Sequence, residues 1–335
     1  MKAIVLAAGR GDRMQPLTRF LAVPALPFLN RPLIHYALDR AAQAGVSQVG
    51  VNLHHIPGSV QEALTSWDGP PLDFFISRET ELQGTGGALA GFSEWLAADP
   101  VLILHGDLIV DFDARHLAMA AATQQANAAL LTRENRDAFK MATVIVDAER
   151  RIRQIAGKPP TAGLPAGDSK AAAGACFMAP GMMKIYSRAE KSDLYSDVLP
   201  KLIGDRRKLI ELPLTSPFYA DPATRRNYLG ATGAALRAMA ANKWPLRAAA
   251  NSKLRKHGEA LLYSDSSAKY NADILRLTGF AVFGAESQLL GDCSITNCVI
   301  LPGVRVGGGA VLENCIVAPN VRVPNNAVIR DEIVI

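Results

Sequence analysis

Residues 2–14 read KAIVLAAGRGDRM. Ala3 to Leu6 is an unbroken apolar run, the pattern of a strand buried on both faces. It ends in two alanines, and then Gly9 and Gly11 follow. Two glycines directly after a buried strand let the backbone pass close to a phosphate and point amide N–H groups at it. The spacing rules out two commoner loops. A dinucleotide fingerprint needs a third glycine where Met14 stands, and a Walker A loop needs a Gly-Lys-Ser/Thr that does not follow.

Outward from this stretch, short apolar runs alternate with helical ones as far as about Tyr228. The pattern predicts a helix over residues 34–44, strands over 49–53 and 101–104, and an Ala-rich helix over 222–241. Such alternation implies a Rossmann-like α/β domain, with a mixed, mostly parallel sheet flanked by helices. The C-terminal part is different. Residues 295–311 read ITNCVILPGVRVGGGAV and residues 312–328 read LENCIVAPNVRVPNNAV. At a shift of 17 residues, Asn, Cys, Pro, Val, Arg, Val, Ala and Val coincide. A fainter copy at 278–294 places Phe283, Ser287, Leu289 and Cys293 on equivalent positions. Repeats with Gly, Pro or Asn at the corners mean stacked units that bury each other's apolar faces, as in a short left-handed parallel β-helix. The expected division is residues 1–235 as the α/β domain, 236–279 as a basic linker region and 280–335 as the β-helix.

Composition narrows the function classes. Of 335 residues, 49% are hydrophobic and 20% charged, as in an ordinary globular protein. No apolar run is long enough to span a membrane, and the N-terminus reads as a strand rather than a signal peptide, so a cytoplasmic protein is expected. A net charge of +5 suits a phosphorylated substrate and is too small to argue for nucleic acid. The basic stretch of Arg247, Lys253, Arg255, Lys256 and His257 reads as a solvated face. Cys176, Cys293, Cys298 and Cys315 form no C-x-x-C pair and are expected to be free buried thiols.

The glycine stretch continues with Arg13, Pro16-Leu17-Thr18, Pro24-Ala25-Leu26-Pro27 and Asn30-Arg31-Pro32-Leu33-Ile34. Further on come Gly84-Thr85-Gly86-Gly87-Ala88-Leu89, His105-Gly106-Asp107, Gly157-Lys158-Pro159, and Phe218-Tyr219-Ala220-Asp221 with Thr224 and Tyr228. This series closely resembles the signatures of the sugar-1-phosphate nucleotidyltransferase family, several branches of which end in a β-helix. The resemblance covers nearly the whole chain. It implies that a nucleoside triphosphate reacts with a sugar 1-phosphate to give an NDP-sugar and pyrophosphate. Catalysis of that reaction is mostly positioning and charge neutralisation.

On that resemblance, Ala8, Gly9, Gly11, Arg13, Gly84, Thr85 and Gly86 bind nucleotide. Lys158 and Gly174 meet the sugar phosphate, and Arg13, Asp107 and Lys158 serve catalysis. Asp107 and Asp221 hold Mg2+, which favours oxygen ligands. The C-terminal β-helix directs the reading toward the mannose-1-phosphate guanylyltransferase branch and offers a surface for homo-oligomer formation. Taken singly, the same residues have plainer readings. Asp107 fits a turn or an N-cap, and Asp221 fits the N-cap of the Ala-rich helix. Arg13 fits a surface ion pair, Lys158 an exposed loop, the Gly84–Gly87 loop a tight turn, and His54 and His55 ordinary packing.

The sequence departs from the family pattern at the site itself. Val23 stands at the signature lysine, His105 at an asparagine and Gly157 at a glutamate. Ala223 and Arg225 replace a glycine and a proline, and Asp12 replaces a threonine. Two functions follow from this. One is an active transferase with an altered phosphate clamp. The other is a catalytically impaired regulatory or nucleotide-sugar-binding paralogue. Acyl transfer by the β-helix is disfavoured, because none of the six histidines lies in the repeat.

Overall fold

The computed structural model describes residues 1–134, 142–159, 167–186, 190–216 and 218–335. The chain divides into two compact units. Met1–Gly9 and Ile34–Tyr219 form the first, and Arg10–Leu33 and Ala220–Ile335 form the second.

The first unit is built on a nine-stranded mixed sheet. Lys2–Leu6 lies at its centre, parallel to Gln48–Leu53 on one side and Val101–His105 on the other, and Asp73–Arg78 extends it in parallel. Beyond Val101–His105 runs the long antiparallel strand Asp168–Met178, which also pairs with Ala128–Glu134 and Thr143–Val146. The central strands are buried along nearly their whole length, as their continuous Ile, Val and Leu runs require. Helices Leu33–Gln43, Pro57–Thr65 and Ala114–Thr123 fall where the period changes from two to 3.6. The side chain of Asp113 caps the last of these by accepting from the His116 amide at 3.0 Å. This is the expected mixed α/β architecture.

The second unit carries the repeat. Ile295 faces Leu312, Val299 faces Ile316, and Arg305 and Val306 face Arg322 and Val323, all in parallel register. The register of 17 is therefore one turn of the coil. The fainter copy holds the same step, with Phe283 opposite Ile300 and Leu289 opposite Val306. Ile295, Ile300, Val306, Leu312 and Val317 fill the coil interior. Corners are made by residues in the left-handed region, Asn297 (φ 50°), Asn314 (φ 51°) and Asp331 (φ 56°) among them. Asn tolerates this conformation because its short amide bonds locally. Here the amides stack as a ladder: Asn297 Nδ2 donates to Asn314 Oδ1, and Asn314 Nδ2 to Asp331 Oδ1, each at 3.3 Å.

One expectation is corrected by the strand pairing. Part of the stretch read as a basic linker region, 236–279, is strand. Ser252–His257 pairs antiparallel with Ala260–Asp265, which pairs in parallel with Arg276–Phe283 at the start of the coil. Lys253, Arg255 and Lys256 are exposed along the outermost strand, so their charges hide a strand with an apolar inner neighbour, Leu262 and Tyr263. All four cysteines are free and buried, as expected. Burial pushes the Cys176 thiol up to about 12.

Candidate functional site

Within the first unit, the end of the central strand is locked from two sides. The Ala7 amide donates to Asn52 Oδ1 at 2.8 Å, and Asn52 Nδ2 donates to Glu79 Oε1 at 2.7 Å. Glu79 Oε2 then accepts from the Gln83 amide at 2.9 Å, one residue before the second glycine loop. The Gly106 amide donates to the Leu6 carbonyl at 3.0 Å, which holds the His105-Gly106-Asp107 turn against the strand end. A Cβ on Gly106 would crowd Val5 and the Leu6 carbonyl. Ala8 is buried, and Gly9 faces open space.

Asp107 does not cap the next helix, a role taken by Asp113. Its side chain is 40% exposed, with Oδ1 3.8 Å from His105 Nδ1. Gly174 lies beside the same turn. It has φ +81°, and a Cβ there would strike Leu108 Cδ1 and approach His105 Cβ. His105 Nε2 meets the Tyr195 hydroxyl at 3.2 Å. Tyr195 is buried, and desolvation pushes its phenol well above the ordinary value.

The Gly84–Gly87 loop is occupied by its own protein. The amides of Gly86 and Gly87 donate to the Ser192 carbonyl at 2.9 and 3.2 Å. Thr85 Oγ1 donates to Asp193 Oδ2 at 2.7 Å and accepts from the Leu194 amide at 2.8 Å. Lys158 Nζ donates to the Ser196 carbonyl at 3.1 Å and lies 3.5 Å from Asp197 Oδ1. One segment, Asp193 to Asp197, thus touches Thr85, His105 and Lys158. The sequence reading missed it. Its only local mark is Asp193 ahead of an apolar turn, where its side chain accepts from the Tyr195 and Ser196 amides. That mark signals a cap and nothing more. His54 rests its ring against the Glu79 carbonyl at 3.1 Å, a packing role.

Within the second unit, Gly11 has φ +66° and its carbonyl accepts from Thr18 Oγ1 at 3.0 Å. Val23 is buried, and its Cγ2 occupies the space a side chain on Gly11 would need. Position 23 therefore presents a branched apolar group directly to the glycine turn. Arg13, with its side chain 58% exposed, reaches to 3.9 Å from Asp221 Oδ2, and Asp221 is 13% exposed. Asp221 Oδ1 accepts from the Ala223 amide at 3.1 Å. The cap of the helix Arg225–Ala240 is Thr224, which accepts from the Asn227 amide. Asp12 lies 3.4 Å from Arg10, both largely exposed.

The two carboxylates suit Mg2+ by donor type, being hard oxygen ligands. Among the described residues, no group of three or more His, Cys, Asp and Glu could hold a metal. No helix among the described residues is long and apolar enough to cross a membrane.

The family described as nucleotidyl transferase matches residues 2–229, and the one described as GlmU-like, C-terminal hexapeptide matches residues 280–332. Mannose-1-phosphate guanylyltransferase of Mycobacterium tuberculosis is 26% identical over 317 residues, covering 92% of this chain and 82% of its own. N-acetylmuramate alpha-1-phosphate uridylyltransferase of Neisseria meningitidis serogroup B is 36% identical over 116 residues, 34% of this chain and 49% of its own. Mannose-1-phosphate guanyltransferase of Schizosaccharomyces pombe is 29% identical over 164 residues, 48% of this chain and 45% of its own. The chain belongs to the sugar-1-phosphate nucleotidyltransferase family, with a nucleotidyl transferase domain followed by C-terminal hexapeptide repeats.

Proposed function

We propose that the protein transfers a nucleoside monophosphate from a triphosphate to a sugar 1-phosphate, and that its natural pair is GTP with mannose 1-phosphate. A relative that matches along most of the chain is named mannose-1-phosphate guanylyltransferase, which supports the choice of pair. The observation that carries the chemistry is the survival of Arg13, Asp107, Lys158 and Asp221 on this scaffold, with three of them at least two-fifths exposed.

In this reading the open backbone at Gly9 and the guanidinium of Arg13 grip the triphosphate, and Lys158 meets the sugar phosphate. Asp197 and the Ser196 carbonyl hold the Lys158 ammonium in place. The His105-Gly106-Asp107 turn is fixed to the central strand, so Asp107 is presented without reorganisation. Asp107 offers magnesium a hard oxygen ligand, and the ion would neutralise charge on the phosphates when bound.

A second reading is favoured by one residue. Val23 fills the space against Gly11 with an apolar group where a cation would meet phosphate. A paralogue that binds nucleotide or nucleotide-sugar without turnover would look like this. Pyrophosphate release from a panel of triphosphates and sugar 1-phosphates separates the two. The transferase reading expects release with one pair, lost in Asp107→Asn. No release from any pair, with nucleotide still bound, would leave the second reading.

A further inference from the structure

Arg133, on the strand Ala128–Glu134 of the first unit, is a cation without an anion. Its guanidinium lies over the Tyr219 ring, 4.5 Å from the ring centre. Its Nε is buried and has no hydrogen-bond partner, and among the described residues the guanidinium enters no ion pair. Carboxylates are close in chain and sheet, yet each is taken by another residue. Glu134 accepts from Lys170 Nζ at 2.8 Å, and Glu211 accepts from Thr132 Oγ1 at 2.6 Å. Asp111 accepts from Arg40 Nη1 at 3.1 Å and from Ser216 Oγ at 2.6 Å. Stacking on a ring uses the face of a guanidinium and leaves its edge, which carries the N–H donors, for a planar or tetrahedral anion.

The sheet sets this residue beside the groups already described. Arg133 stands opposite Ala171, and Ala171 opposite Thr143, so the three share one row and one face. The Thr143 carbonyl accepts from the Ala156 amide at 2.8 Å, which ties the turn that carries Lys158 to the same row. Tyr219 follows Phe218, whose carbonyl accepts at 3.2 Å from the amide of Asp111, four residues after Asp107. Burial is the main cause of the raised Tyr195 phenol, and Cys176, Tyr219, Asp193 and Asp107 add to it, so Tyr219 belongs to the surroundings of the Tyr195–His105 pair. Two strands, Asp168–Met178 and Val101–His105, separate Arg133 from the line of the central strand, three spacings or about 14 Å away. Arg133 is therefore on the Lys158 side of the sheet and away from the loop at Gly9.

We propose that Arg133 is a substrate-binding residue, and that its guanidinium, seated on Tyr219, receives the phosphate of the sugar 1-phosphate; the assignment rests on the transferase reading and extends it. Lys158 brings a single point charge, already shared with Ser196 and Asp197. Arg133 brings a planar fork that engages two phosphate oxygens at once. Tyr219 holds the fork before the ligand arrives, so less side-chain freedom is lost on binding. Its place in the sheet directs it to the acceptor and not to the triphosphate.

Calorimetric titration of the full chain with mannose 1-phosphate, glucose 1-phosphate and, separately, GTP tests this. Arg133→Ala should weaken the sugar 1-phosphate that binds by roughly ten- to a hundredfold, the worth of one charge-assisted contact. GTP affinity should not change, which also reports that the variant is folded. Arg133→Lys should recover part of the loss, because an ammonium keeps the charge without the fork. Unchanged sugar 1-phosphate affinity in Arg133→Ala overturns the proposal and leaves the transferase reading standing. Equal losses for sugar 1-phosphate and GTP overturn it as well, since they would reduce the ring contact to a structural one. A wild-type chain that binds GTP and neither sugar 1-phosphate overturns the proposal together with the transferase reading.

Discussion

A Cβ added at Gly9 would meet nothing within 4 Å, whereas one added at Gly84 would lie 2.4 Å from the Ser192 carbonyl oxygen. In sequence the two glycine stretches look alike, one with two glycines and one with three, each next to an apolar run. In the structure Gly9 of the first faces open space, while Gly11 packs against Val23 and Thr18. The second is a seam: Gly84, Gly86 and Gly87 let the backbone of residues 190–193 come close, and two of their amides are spent on it. A glycine therefore reports close approach of something to the backbone, and only the fold tells whether that something is a ligand or the protein itself.

The sharpest way to break this contrast is a matched pair of alanines. Gly84→Ala forces a side chain onto φ +75° and into the Ser192 carbonyl. It should cost about 2–4 kcal/mol. Gly9→Ala should change stability by less than about 0.5 kcal/mol, while weakening nucleotide binding if the open face receives phosphate. Urea denaturation of both proteins decides it, and equal losses would erase the distinction. A smaller effect is expected at Thr85. Thr85→Val removes one donor and one acceptor at the seam, for a loss of about 1–2 kcal/mol. The Leu194 amide, which Thr85 holds, should then exchange its hydrogen faster.

The smallest effect concerns Asp197, which ties the same segment to Lys158. The Asp193 amide, donating at 2.8 Å, holds this carboxyl below its ordinary range, helped by Ser196 and Lys158. A carboxyl depressed in the folded state adds stability above its unfolded value near 3.9. That stability is lost as the pH falls through the folded value. The side chain is 46% exposed, so solvent screens the gain to about 0.5 kcal/mol or less. Denaturation of wild type and Asp197→Asn should differ by that amount at neutral pH and converge in strong acid. A gap that persists in acid would remove the carboxylate from the account.

The legibility of the fold followed from redundancy. The coil was readable because Cys298 and Cys315, Arg305 and Arg322, and Val306 and Val323 repeat one environment at one spacing, and the strands pair in that register. The central strands were readable because burial on both faces leaves no polar residue in Ile4 or Val5, or in 101–104. Residues 252–265 were not. The edge strand Ser252–His257 holds one apolar residue, Leu254, so it shows no alternation and its charges dominate its composition. The site divided in the same way. Asp107 and Lys158 stand in motifs with fixed neighbours, whereas the Asp193–Asp197 segment acts through contacts to Thr85, His105 and Lys158, which lie between 38 and 109 residues away. No local spacing encodes such contacts.

Val23 gives the most direct test of the account, since it places an apolar group against the first glycine turn where the family carries a cation. Pyrophosphate release from GTP and mannose 1-phosphate should be slow in the natural protein. Val23→Lys should raise it by roughly ten- to a thousandfold, as expected for a phosphate contact formed in the transition state. Fast release by the natural protein, unchanged by the lysine, would show that position 23 does not set the phosphate grip and would contradict the account.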